Sequence, residues 1–158
     1  MRKINYIFLV IFIISSLYSS SINAQKNTQG KLANKPLFTD PVFDGAADPT
    51  VIWNKNEKKW FMFYTNRRAN VKNATGVTWV HGTPIGIAES SDDGATWKYR
   101  DTANINYRPD PGYTFWAPEV IENKGLYHMY LTYVPGIFAD WNHPRVIVHL
   151  TSKDLLNW

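Results

Sequence analysis

The chain has 158 residues, 15% of them aromatic, with seven Trp, nine Tyr and eight Phe, which is room for one domain. It has no cysteine, so neither a disulfide framework nor a thiolate metal site is available. The net charge is +4, and removing Arg2 and Lys3 from the 17 Lys+Arg leaves +2 against 13 Asp+Glu; that is too little to point to nucleic acid or an anionic membrane.

The first signal is at the N-terminus. Arg2 and Lys3 precede an apolar run over 4–14, and a Ser-rich stretch leads to Ile22-Asn23-Ala24-Gln25. A charged start, a short apolar core and a small residue at the cut describe a secretory signal peptide over 1–24. The apolar run falls short of the roughly 20 residues that span a bilayer, which makes an uncleaved anchor the weaker reading. No cysteine follows it, so a lipid-anchored form is excluded. Export is the expectation, with no membrane association after cleavage. Residues 25–37 read as a polar linker and 38–158 as the folded domain.

Asp48-Pro49-Thr50-Val51-Ile52-Trp53 comes next. A proline suits the first residue of a strand, and Val51, Ile52 and Trp53 read as its interior. Asp48 then stands at the mouth of that strand, a costly place for a charge unless something uses it. After an Asn- and Lys-rich turn over 54–59, Trp60-Phe61-Met62-Phe63-Tyr64-Thr65 is apolar on both faces and predicts a strand covered on both sides. A polar loop over 66–83 carries Arg67, Arg68, Trp79 and His81. Pro84 to Ser90 gives a third strand, and Trp97-Lys98-Tyr99 a short fourth.

The same order then recurs. Pro49-x-Val51-Ile52 matches Pro118-x-Val120-Ile121, and Trp60-Phe61-Met62-Phe63-Tyr64 matches Tyr127-His128-Met129-Tyr130-Leu131. Ser90 through Trp97 matches Thr151 through Trp158. A repeat of about 60–70 residues, four strands each, is the first thing to look for in a chain. Radially stacked antiparallel four-stranded units are propeller blades, so the expected fold is all-β: a partial propeller of about two four-stranded antiparallel blades. Two blades cannot close a ring that usually has four to eight, so the chain is expected to be an N-terminal fragment of a longer protein. Ser90-Ser91-Asp92-Asp93-Gly94-Ala95-Thr96-Trp97 also resembles the Asp-box of sialidases and other propellers. There Asp92 accepts backbone N–H groups, Gly94 supplies a positive φ and Trp97 anchors the next strand.

Because alternate strand ends of a meander fall on alternate faces, Asp48 shares a face with the loops 66–83 and 134–145 and the segment 100–116. The turns at 54–59 and 92–96 lie on the opposite face. Arg67, Arg68, His81, Asp140, Trp141 and His143 therefore gather with Asp48.

The two inner-strand motifs, Asp48-Pro49-Thr50-Val51 and Phe115-Trp116-Ala117-Pro118-Glu119-Val120-Ile121, together with the ending Ser152-Lys153-Asp154-Leu155-Leu156-Asn157-Trp158, resemble the five-bladed β-propeller glycosidases. The nearest likeness is to glycoside hydrolase family 43, with family 117 related. The resemblance runs over about 43–158. It implies a carboxylate-dependent glycosidase acting on plant or algal poly- or oligosaccharide, whose first-blade Asp, here Asp48, is the general base that activates water. The family's pKa-tuning Asp and its general acid (Glu, or His in family 117) belong to later blades, so this chain would hold the base without the acid. Trp116, Glu119, Arg67, His81 and His143 are the substrate-binding candidates: Trp116 as a stacking platform, and Glu119 as a partner for a sugar hydroxyl. Bland alternatives stand beside each: a core Trp, a Glu119 paired with Arg67 or Arg68, histidines that order loops, and an Asp48 that caps a turn. The aromatic-rich, nearly neutral composition suits stacking on sugar faces as it suits an aromatic core. No cofactor or metal site is read from the sequence. The competing readings are a non-catalytic carbohydrate-binding propeller or degenerate remnant and, on the Asp-box and Arg67-Arg68, a sialidase.

Overall fold

In the computed structural model, residues 32–67, 72–73, 75–77, 80–107, 109, 112–136 and 138–158 are described. The leader over 1–24, the linker up to 31, Arg68 and Trp79 lie outside them. Seven strands form two antiparallel sheets. The first holds β1 (Ala46–Asn54), β2 (Lys59–Asn66), β3 (Ile85–Ser90) and β4 (Lys98–Thr102) in chain order. The second holds β5 (Thr114–Asn123), β6 (Leu126–Val134) and β7 (Val146–Ser152), likewise in order. Two successive meanders are what the repeat predicts, with four and three strands rather than four and four. After β7 the chain runs parallel to the inter-sheet segment: Asn104 N–H donates to Leu156 C=O at 2.9 Å, Trp158 N–H to Asn104 C=O at 2.9 Å, and Asn106 N–H to Trp158 C=O at 3.0 Å.

Apolar periodicity explains the layers. β2 is buried along its last six residues, as a strand without polar alternation must be. β1 alternates, with Thr50, Ile52 and Asn54 in and Val51 and Trp53 out. The main core lies between the sheets. Ile52, Phe61, Phe63, Ile85 and Ile87 meet Phe115, Val120, Met129, Leu131 and Tyr133 there, with β5 packed against β1 and β2. Trp158 closes one end of it, its ring edge-on to Phe63 at 5.8 Å.

On the other face of the first sheet, Met62, Tyr64 and Ala88 pack under Phe38 and Trp97. Tyr64 donates its hydroxyl to Asp40 Oδ2 at 2.5 Å, while Asp40 Oδ1 takes the N–H groups of Val42 and Phe43 at 2.7 Å each. Burial, and then the neighbouring Asp40, pushes the Tyr64 hydroxyl far above its ordinary pKa. The ring lies directly on Gly86, its cross-strand partner, where a Cβ would fall 2.3 Å from the ring.

The Asp-box turn read from the sequence is built on an aspartate. Asp92 Oδ1 takes the Thr96 N–H at 2.8 Å and Oδ2 its hydroxyl at 2.7 Å, Gly94 has φ +83°, and Trp97 Nε1 donates to Gly94 C=O at 3.0 Å. The Thr96 N–H and hydroxyl hold the Asp92 carboxyl down at about 2. Asp154 repeats the device. Burial raises its pKa, but bonds from Asn157, Leu156 and Ser152 outweigh that and hold it at about 2.

One sequence expectation needs correcting. Asp48-Pro49 does not open β1 but lies inside it. The β1–β2 register breaks between Ala47 and Thr50, and the β5–β6 register breaks in the same way between Trp116 and Glu119. These are paired β-bulges, which tolerate a proline with no N–H to give the ladder. At each bulge one residue takes the left-handed conformation: Asp48 at φ +52° and Ala117 at φ +45°.

Candidate active site

The two bulges face one another across the join between the sheets, and Thr65 at the end of β2 bridges them. Its hydroxyl donates to Asp48 Oδ2 at 3.1 Å and accepts the Ala117 N–H at 2.8 Å. Thr65 is 1% exposed, so water does not substitute for either bond. Arg67, two residues on, brings Nη2 to 3.6 Å from the same Asp48 oxygen. The bulge turns the Asp48 side chain out of the sheet, where it stays half-exposed. A bulge that re-aims a side chain beside a cavity is a recurrent feature of active sites.

These groups line a cavity of about 460 Å³, completed by Val80, Trp116, Thr132, Trp141 and Arg145, a size that suits a few sugar rings. The loop over 66–83 ends against β5: Thr114 Oγ1 accepts the Gly82 N–H at 3.1 Å and donates to Val80 C=O at 3.2 Å, and Phe115 N–H donates to Thr83 C=O at 3.1 Å. The loop over 134–145 supplies Trp141 and Arg145. Arg145 Nη2 donates to the carbonyls of Trp141 and, at 3.1 Å, His143, and its guanidinium sits over the Trp116 ring at 5.8 Å. A larger groove of about 830 Å³ follows the paired segments 104–107 and 157–158. Its described lining has no carboxylate, arginine or histidine, so the chemistry points to the smaller cavity.

Of the residues singled out in the sequence, the structure brings Asp48, Arg67, Trp116 and Trp141 to one cavity, on the face where strand alternation places them. His81 and His143 stand behind its wall, on Phe138: the His81 ring meets it edge-on at 4.4 Å and the His143 ring stacks on it at 5.1 Å. His143 Nε2 is also 2.6 Å from Pro135 C=O. Phe138, Val77, Val80 and Val134 form a small core that ties both loops to Trp116. Glu119 is not brought to the cavity; it projects from the exposed face of β5, across from Tyr130, and the ion pair of Arg67 is with Asp48 instead. Thr65, Thr132 and Arg145 are the polar wall residues that sequence reasoning missed. The position of Thr65 at the end of the strand paired with Asp48 was the available signal.

No protein-family model and no curated protein matches the chain. Among solved structures it is similar to a family 117 glycoside hydrolase of the marine bacterium Zobellia galactanivorans, with 26% identity and a TM-score of 0.52 over 79% of this chain and 40% of that one. The fold is a partial β-propeller. The endo-arabinase of Bacteroides thetaiotaomicron is 23% identical with a TM-score of 0.45, over 76% of this chain and 36% of that one. The α-L-arabinanase of Penicillium chrysogenum, solved with arabinobiose, is 20% identical with a TM-score of 0.47, over 76% and 34%. The chain thus spans about two fifths of the Zobellia enzyme, and its two sheets are successive blades of a partial propeller.

Proposed function

We propose that the chain carries the general-base half of an exported glycoside hydrolase acting on plant or algal poly- or oligosaccharide, with Asp48 as the base. The observation that carries this reading is the Asp48 bulge. A half-exposed carboxylate is turned out of a sheet into a sugar-sized cavity and held there by Thr65 and Arg67. In such a reaction the carboxylate takes a proton from water as that water attacks the anomeric carbon, and a second acid protonates the departing glycosidic oxygen. An inverting pair stands about 6.5–9.5 Å apart. Among the described residues lining the cavity Asp48 is the sole carboxylate, so the acid is assigned to a partner segment beyond them. Trp116 and Trp141, ring centroids 5.7 Å apart, offer apolar faces for sugar rings.

The same lack of a second carboxylate in the described lining favours, as the second reading, a carbohydrate-binding propeller without turnover. Incubation with plant and algal polysaccharides separates the two. Release of reducing ends by the chain together with its acid-bearing segment, abolished there by Asp48→Asn, supports the enzyme; glycan retention with no release by either protein supports the binding module.

A further inference from the structure

We propose that the cavity recognises a glycan bearing an anionic substituent, a uronate carboxylate or a sulfate ester, and that Arg145 is the residue that selects it. This rests on the glycoside hydrolase reading of the same site and adds the substrate's charge to it.

The charges of the wall do not cancel. Among the described residues it holds two guanidinium groups, Arg67 and Arg145, and one carboxylate, Asp48. Asp48 faces Arg67. Among the described residues no carboxylate lies within ion-pair distance of Arg145. Its partners are all neutral: two loop carbonyls, both reached through Nη2, and the Trp116 ring. Carbonyls and a π-face hold a guanidinium in place without neutralising it, so the cation keeps its field toward the cavity. The Nη1 and Nε groups make no hydrogen bond to the described residues. Nη1 and Nε point to opposite sides of the guanidinium, and each can give one charge-assisted hydrogen bond to a carboxylate or sulfate oxygen.

A neutral sugar needs no such charge; its hydroxyls are served as well by Thr132. An acidic one gains twice. Arg145 attracts its substituent, and Asp48 repels that substituent, which turns a different part of the sugar toward the base. Trp116 lies under both effects, with one side of its ring system against Arg145 and Trp141 close by, so the charge is read next to the stacking surface.

Fluorescence titration of the purified protein with matched oligosaccharides tests this: oligogalacturonate, a sulfated galactan oligosaccharide and a neutral galactan oligosaccharide of equal length. At low ionic strength at least one anionic ligand should bind about tenfold or more tightly than the neutral one, the worth of one hydrogen bond between charged groups. The margin should shrink in high salt and vanish in Arg145→Gln. Arg145→Lys, which keeps the charge without the guanidinium's hold on the loop carbonyls and the Trp116 ring, should retain part of it. Whether the uronate or the sulfate binds identifies the substituent. Equal binding of neutral and anionic ligands, or an undiminished preference in Arg145→Gln with an unchanged circular dichroism spectrum, overturns the inference and leaves the glycosidase reading standing. No binding to any glycan, charged or neutral, overturns both.

Discussion

Thr65 is the residue on which the site's geometry depends most, and Thr65→Val isolates its contribution. The change keeps the volume of a fully buried side chain and deletes only the hydroxyl. Two bonds go: the donation to Asp48 Oδ2 at 3.1 Å and the acceptance from Ala117 N–H at 2.8 Å. Asp48 is half-exposed and recovers a bond from water, so its loss is small in stability. Ala117 N–H points at a buried position and recovers nothing; an orphaned donor of that kind costs about 1–3 kcal/mol. Ala117 already holds φ +45°, a conformation that costs an L-residue about 1–2 kcal/mol, so the bond also stabilises the second bulge. The expected loss is therefore about 1–3 kcal/mol in urea unfolding followed by tryptophan fluorescence. In the chain joined to its acid-bearing segment hydrolysis should fall too, because Asp48 loses its orienting donor. Thr65→Ser should recover most of both, since it restores the hydroxyl. A Val variant unchanged in midpoint and rate, or a Ser variant no better than Val, would refute the bridge.

Three further outcomes follow from other parts of the fold. Gly86→Ala places a Cβ 2.3 Å from the Tyr64 ring, and overpacking of this kind costs about 1–3 kcal/mol; a thermal midpoint at or above the parent's would show that the ring gives way freely. Asp92 and Asp154 are held at about 2 in the folded chain, below the roughly 3.9 of an unfolded aspartate. Their contribution is thus complete above about pH 4 and is lost as pH falls through about 2. Asp92→Asn and Asp154→Asn should flatten acid unfolding in that window alone, and a parent-like acid limb in both would count against it. Ile121, Tyr130 and Ile147 are exposed on the second sheet, and apolar sheet faces of this kind associate. Sedimentation should show concentration-dependent self-association that Ile147→Lys reduces; a parent that stays monomeric at all concentrations would contradict this.

The strands were legible because their signal is local. The unbroken apolar run of β2, the Asp-box turn at 90–97 and the recurrence of both in the second half set the order of strands. The face that carries the cavity follows from alternation alone. The bulges were not legible: Asp48-Pro49 reads as a strand opening because proline suits that place, whereas the register that puts it inside β1 is decided by β2. The walls were legible only in part. Asp48, Trp116 and Arg67 sit on strands or at their ends, whereas the loop over 134–145 is shaped by packing on Phe138, which no periodicity encodes. That packing sends His143 behind the wall and Arg145 onto it. Glu119 follows from the second bulge in the same way: the register break at 116–119 leaves it on the open face of β5.

The role of Asp48 is tested most directly by the kinetics of Asp48→Asn in the chain joined to its acid-bearing segment, on a polysaccharide that this parent cleaves. If Asp48 activates the water, kcat should fall about 10²–10⁴-fold, the usual worth of a positioned general base, with KM changed little. A variant that retains kcat within about tenfold of the parent, below that range, would remove Asp48 as the base.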